Sequence, residues 1–266
     1  MIYINEMINS IILGIIEGII EFFPVSSTGH LIIITHYFDI GNQELNALEI
    51  FTQLGSSLGM LICFYKKIKK ILKINKNKKR IIKHYIYVLL VSIVPTILIG
   101  LTFYTSIKLL SNVVHVIYGL LFGGFLLILS EIFKPKKSIT NTLKKINLIQ
   151  SFIIGCFQVL SLYPGFSRSG STISTGILLG LKRSVAIDFS FIISMPLILG
   201  ASIFDLIKNI QNINLIKIPY YFGAFFTSFI ISLIFFKILI NLLKKISLIF
   251  FAIYRILLSF LIYFDS

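Results

Sequence analysis

Charge is scarce in this sequence, and acidic residues are the scarcest of all. Only 13% of the 266 residues are Asp, Glu, Lys or Arg, and 10 are acidic. A soluble globular domain carries roughly 25% charged and about 45–50% apolar residues. Here 56% are hydrophobic and the mean hydropathy is +0.94, which excludes an ordinary soluble domain. Cysteine is nearly absent too. Cys63 and Cys156 both lie in apolar segments without metal-ligand spacing around them, so they read as small hydrophobes. The opening "MIYINEMINSII" lacks a basic n-region and a cleavage site, which argues against a removable signal peptide.

What the sequence has is a series of windows of about twenty residues with almost no charge, enough to cross a bilayer core of roughly 30 Å. Six are expected to span: about 45–65, 84–104, 113–133, 185–206, 219–241 and 246–264. Two further apolar regions, 7–40 and 147–181, are interrupted by "PVSSTGH" and "PGFSRSGS". Each half is expected to be shorter than a full span, and broken helices at membrane depth are tolerated only in protein or beside water. The expected fold is therefore an all-α polytopic membrane protein, with six transmembrane helices and two re-entrant helical hairpins.

The 25 Lys and Arg against 10 Asp and Glu give a net charge of +15. In a soluble chain this would suggest nucleic acid, but the cations cluster in short loops between apolar spans and mark cytoplasmic loops instead. Residues 66–83, 134–145 and 244–245 are the basic loops, while 105–112 and 207–218 carry one or two lysines each. Both chain ends are then expected outside, with the first hairpin dipping in from outside. Tyr85, Tyr87, Tyr220 and Tyr221 lie near span starts and fit an aromatic belt.

The halves resemble one another. Pro24 and Pro164 are 140 residues apart, Gly29 and Gly170 are 141 apart, and Glu49 and Asp188 are 139 apart. Three spans follow each break, and an odd number inverts the second copy. The expected organisation is one integral membrane domain over 1–266, an inverted-topology repeat of about 1–133 and 145–266 whose broken hairpins meet near the midplane.

The breaks carry the chemistry. Glu17 and Glu21 are four apart and share one helical face. Two carboxylates at bilayer depth need pairing, protonation or a cation, and Mg²⁺ favours one or two carboxylates with substrate phosphates and waters. Bridging to neighbouring helices is the plainer alternative. Ser26, Ser27 and Thr28 offer hydroxyls, of which one can cap the restarting helix, and His30 could serve as acid, base or nucleophile. In the second break Arg168 brings a fork suited to phosphate oxygens. Ser167, Ser169 and Thr172 add neutral donors there. An Arg168–Glu ion pair between the repeats is the alternative, and it could alternate with phosphate binding. Glu49, Gln53 and Asp188 read as supporting or packing groups, and His36, His84 and His115 as isolated residues.

The motifs "EGIIEFFPVSSTGH" (17–30) and "PGFSRSG" (164–170) resemble the two signatures of the undecaprenyl-diphosphate phosphatase family, also called the bacitracin-resistance protein family. The similarity extends over "QLGS" at 53–56, "DFSF" at 188–191 and the late "AIYRILL". The resemblance implies an enzyme of the bacterial cytoplasmic membrane that hydrolyses a C55 polyprenyl diphosphate to the monophosphate carrier of peptidoglycan synthesis. It also implies a divalent cation, Mg²⁺ or Ca²⁺, on Glu17 and Glu21. Ser27 and His30 become nucleophile and acid–base candidates, and Arg168 with Ser167, Ser169 and Thr172 the diphosphate grip. Ser26 and Thr28 join the substrate-binding set. Ser27, His30 or activated water could attack phosphorus, in a cavity expected to open outward. The partners expected are the lipid substrate and membrane lipids rather than nucleic acid, and a homodimer is one arrangement the sequence allows. The rival reading is a secondary transporter or polyprenyl-phosphate flippase, since broken helices and inverted repeats are transporter architecture.

Overall fold

A long apolar run in lipid must satisfy its backbone within itself, and a helix does so. In the computed structural model, which describes residues 2–38, 40–72 and 79–265, helices account for nearly all regular structure. They are α1 (Ile2–Ile20), α2 (Ser27–Tyr37), α3 (Asn42–Leu72), α4 (Lys79–Thr102), α5 (Tyr104–Leu109), α6 (Val113–Ile132), α7 (Leu148–Gln158), α8 (Arg168–Leu178), α9 (Arg183–Lys208), α10 (Ile218–Lys245) and α11 (Leu248–Asp265). Among the described residues the one β feature is an isolated bridge between Thr140 and Leu181. Among the described residues six helices are long and apolar enough to cross a membrane: α3, α4, α6, α9, α10 and α11. They coincide with the six expected windows.

Four expectations change. α1 begins at Ile2 rather than near 7 and runs 19 residues, about 28 Å of helix, so it is not a short half-span. Its first turns are held by Glu6, paired with Lys217 at 3.0 Å. The basic stretch 66–83 is helical at both ends, because α3 continues to Leu72 and α4 starts at Lys79; its middle, 73–78, lies outside the described residues. The expected loop at 105–112 contains α5. Of the four tyrosines assigned to an aromatic belt, only Tyr87 is exposed. Tyr85, Tyr220 and Tyr221 are buried because neighbouring helices cover the ends of their own, with Tyr221 stacked on Phe51 at 5.4 Å.

α10 is the centre of the packing: α1 and α3 lie along it, while α11 packs on α6, α7 on α4, and α9 on α3 and α8. Membrane helices approach most closely where small residues face one another. A Cβ on Gly55 would sit 2.3 Å from the Phe225 carbonyl oxygen, so α3 and α10 meet at that point backbone to backbone. Nearby, Phe22 from the first break is fully buried and meets Phe236 edge-on at 5.2 Å. This aromatic contact seats the break between α1 and α2 against the bundle.

Both breaks use the same local device. Ser26 (φ 71°) and Ser167 (φ 73°) are the two non-glycine residues with positive φ among those described. Each accepts a hydrogen bond on its side chain, Ser26 from Gly29 N at 3.2 Å and Ser167 from Gly170 N at 3.1 Å. The cap thus satisfies an orphan helical amide and offsets part of the roughly 1–3 kcal/mol of backbone strain at each serine. The second break also needs room. A Cβ on Gly119 of α6 would stand 2.0 Å from the Pro164 carbonyl oxygen.

Candidate active site

Glu21, at the end of α1, receives both a hydrogen bond from Ser27 Oγ and an ion pair from Arg168 Nη2. Residues 147 apart in sequence thereby meet across the two breaks. Ser169 Oγ adds a second link, donating to the Phe23 carbonyl at 3.0 Å. The Arg168–glutamate pair anticipated as an alternative to phosphate binding is therefore formed, with Glu21 as the partner.

These groups open into one cavity of about 470 Å³. Glu21, Ser26, Ser27, Thr28, Ser167, Arg168 and Ser169 line it from the breaks, and Glu49 and Gln53 from α3. Its apolar wall comes from α4 and α9, through Ile97, Leu101, Leu197 and Phe204, and its remaining cation is Lys108 of α5. A pocket with an oily wall and a few convergent polar groups is the usual form of a ligand site.

Glu17 is fully buried, and neither of its carboxylate oxygens has a hydrogen-bond partner. Ser27 lies near it but gives its proton to Glu21. Two orphan carboxylate oxygens beside a second carboxylate are a donor set that a hard cation fits. Among the described residues no three of His, Cys, Asp and Glu converge on one point. A cation here would take its remaining ligands from phosphate oxygens and water, as Mg²⁺ does.

Three of the sequence-derived candidates do not line the cavity: His30, Thr172 and the fully buried Glu17. His30 is buried and turned away, with Nδ1 2.7 Å from the Ser26 carbonyl and Nε2 2.7 Å from the Tyr254 hydroxyl. A carbonyl can only accept, so Nδ1 carries the proton and Nε2 accepts from Tyr254. Both ring nitrogens are engaged. The physical reason is the break itself, whose left-handed Ser26 turns its carbonyl toward the first turn of α2, where the ring meets it. Thr172 is likewise behind the site, donating to the Arg168 carbonyl at 2.9 Å and facing Ser190 Oγ at 2.5 Å. The other histidines stay apart: His84 meets the Ile146 carbonyl at 3.0 Å, His115 meets Asn112 Oδ1 at 2.7 Å, and His36 is exposed.

Three contributors were not assigned to the site by sequence reasoning, which read Glu49 and Gln53 only as supporting or packing groups and gave Arg255 no role. Glu49 and Gln53 line the cavity and bond each other at 3.1 Å, whereas Asp188, the residue matched to Glu49, pairs with Lys244 at 3.0 Å elsewhere. Arg255 of α11 is fully buried and donates to five backbone carbonyls: Leu120 at 3.2 Å, Pro24 at 3.1 Å, Gly119 at 2.9 Å, and Gly165 and Phe166 at 2.8 Å. One guanidinium thus fixes both breaks. An arginine in the apolar run "AIYRILL" was the available signal, but its acceptors are backbone atoms that leave no trace in sequence.

The fold and this cavity define a multi-pass membrane protein with a charged pocket between two broken helices. The family model described as bacitracin resistance protein BacA matches residues 10–261, and the chain belongs to that family. It is 56% identical over 264 residues to an undecaprenyl-diphosphatase of Buchnera aphidicola subsp. Schizaphis graminum, covering 99% of this chain and 100% of that protein. Similar proteins of the same name occur in Buchnera aphidicola subsp. Acyrthosiphon pisum, at 53% identity with 99% of each chain covered. Another, in subsp. Baizongia pistaciae, is 46% identical with 97% of each covered.

Proposed function

We propose that this chain is an undecaprenyl-diphosphatase. It releases orthophosphate from the lipid diphosphate, returns the monophosphate carrier to peptidoglycan synthesis, and so confers bacitracin resistance. The observation that carries this reading is the Ser27–Glu21–Arg168 cluster inside a cavity whose wall is apolar. A carrier needs no hydroxyl poised against a carboxylate, and a polyprenyl tail needs the oily wall.

Ser27 is the nucleophile in this reading. Its hydroxyl already donates to Glu21, which takes the proton as Oγ bonds to the terminal phosphorus. The bond from that phosphorus to the bridging oxygen breaks, and the lipid monophosphate leaves with the bridging oxygen, which takes the proton from Glu21. Water then attacks the phosphoserine, one proton passing to Glu21 and on to Oγ, and orthophosphate departs as Ser27 is regenerated. Arg168 exchanges Glu21 for phosphate oxygens and holds the charge that develops. Ser26, Thr28, Ser167 and Ser169 orient the headgroup from the cavity wall. Glu17 and Glu21 would hold Mg²⁺ or Ca²⁺, which when bound neutralises phosphate charge. His30, locked between Ser26 and Tyr254, positions the first break.

The two breaks are read as re-entrant hairpins of an inverted repeat. Support comes from the matched Ser26 and Ser167 caps, and from α1 packing on α10 as α7 packs on α4. The cavity lies at the end of the bundle formed by α5 and the last turns of α9, away from the basic segments. We place that end outside the bacterial cytoplasmic membrane.

The test is purified protein in detergent micelles with a polyprenyl diphosphate and Mg²⁺ or Ca²⁺, scored for released phosphate. Folded protein that releases none, while moving a polyprenyl phosphate across vesicles, would replace this reading with a flippase.

A further inference from the structure

Among the described residues Arg168 and Lys108 are the cations that line the cavity, and they belong to different elements. Arg168 belongs to the breaks. Lys108 lies on α5, and its ammonium meets Asp205 Oδ2 of α9 at 2.9 Å, with both side chains mostly shielded. We infer that the Lys108–Asp205 pair is a second phosphate-oxygen site at the cavity mouth, where Lys108 exchanges Asp205 for a phosphate oxygen. The inference rests on the phosphatase reading and adds to it a site apart from the Ser27–Glu21–Arg168 cluster.

The pair is built into the wall rather than waving at the surface. Tyr104, one turn before Lys108, accepts a hydrogen bond from Asn209 Nδ2 at 3.1 Å. Its ring meets Phe204 at 5.4 Å and carries the Lys208 ammonium 3.7 Å from its centroid. α5 is thereby fastened to the last turns of α9, and Lys108 is aimed inward. Burial alone would lower the Lys108 pKa, but the Glu49 and Asp205 carboxylates outweigh it and hold the group above its ordinary value. The ammonium therefore stays charged at neutral pH.

Charge balance gives the pair its use. Arg168 is already neutralised by Glu21, and the cavity carries Glu21, Glu49 and Asp205 against two cations. A multiply charged phosphate gains a foothold only where a cation can turn from a carboxylate. Lys108 offers one on a long stem that can swing. The lining face of α9 runs from Pro196 to Asp205, about 13 Å of helix, a length over which two phosphate positions fit. The ligand is either the lipid diphosphate headgroup on its way in or orthophosphate on its way out.

The experiment measures the full chain in micelles by two readouts: steady-state kinetics with a polyprenyl diphosphate, and calorimetric titration of inorganic phosphate. In Lys108→Gln, losing one charge-assisted hydrogen bond should weaken binding about 10-fold, with Lys108→Arg restoring it. A rise in KM exceeding any change in kcat, with phosphate affinity unmoved, assigns the site to the lipid headgroup. Weaker phosphate binding and weaker product inhibition, with KM unmoved, assign it to the leaving phosphate. Asp205→Asn, which frees the ammonium, should tighten whichever constant Lys108→Gln weakens, and it carries the test if Lys108→Gln does not fold. Both constants within twofold of wild type in a folded Lys108→Gln overturn the inference. Wild-type protein without turnover overturns the phosphatase reading instead, and the phosphate titration then judges the mouth site by itself.

Discussion

Arg168 and Arg255 bring the same guanidinium into the protein interior and meet opposite partners. Arg168 faces a carboxylate that phosphate replaces in the proposed reaction, while Arg255 faces five carbonyls that nothing mobile can replace. Arg168→Ala should therefore fold normally and lose about 100-fold or more in turnover, the scale of removing one transition-state donor. Arg255→Met should lose at least about 3 kcal/mol of stability, as buried carbonyls go unpaired, read as a lower unfolding temperature in detergent. Ser27 and His30 divide likewise: Ser27→Ala should abolish phosphate release without moving that temperature, whereas His30→Ala should lower both. Residue identities at the site were largely legible, because charge and hydroxyls inside oily runs are conspicuous. Their roles were less so. His30 follows Ser27 by three positions, yet the Ser26 carbonyl and a hydroxyl 224 residues away turn its ring aside.

At the scale of elements, the breaks depend on close backbone approach as much as on their own sequences. Gly119→Ala should push Pro164 out of place, and the outcome expected is a destabilised protein with weakened phosphate release, measured side by side on the same sample. An equivalent Ala at Gly41, which has open space around it, should leave both unchanged. The breaks themselves were readable from Pro, Gly and Ser clusters that stop helices. α5 was not, since six residues around Lys108 give too short a period to separate helix from loop. The helical ends of the basic stretch were missed for a different reason. Lysine continues a helix readily, so a run of charge marks the end of an apolar window without marking the end of the helix.

For the whole molecule, orientation is the property to measure. In a background with Cys63 and Cys156 replaced, Gln211→Cys on intact cells should react with a membrane-impermeant maleimide. Lys136→Cys should react only after the membrane is opened. Both positions are exposed, so a reversed pattern would place the cavity on the cytoplasmic side. The six long helices were legible because hydropathy acts over twenty residues at a time. The cavity was not, because its wall joins α4, α5 and α9 to the breaks through contacts that no local window contains. Arg255 bears on how the molecule is made. Its acceptors at Pro24 and Phe166 precede it by 231 and 89 residues, so ribosomal synthesis delivers every carbonyl long before the guanidinium that joins them. Both breaks therefore gain their shared anchor only once α11 has been inserted, so the order of translation makes the last helix the one that closes the site's frame.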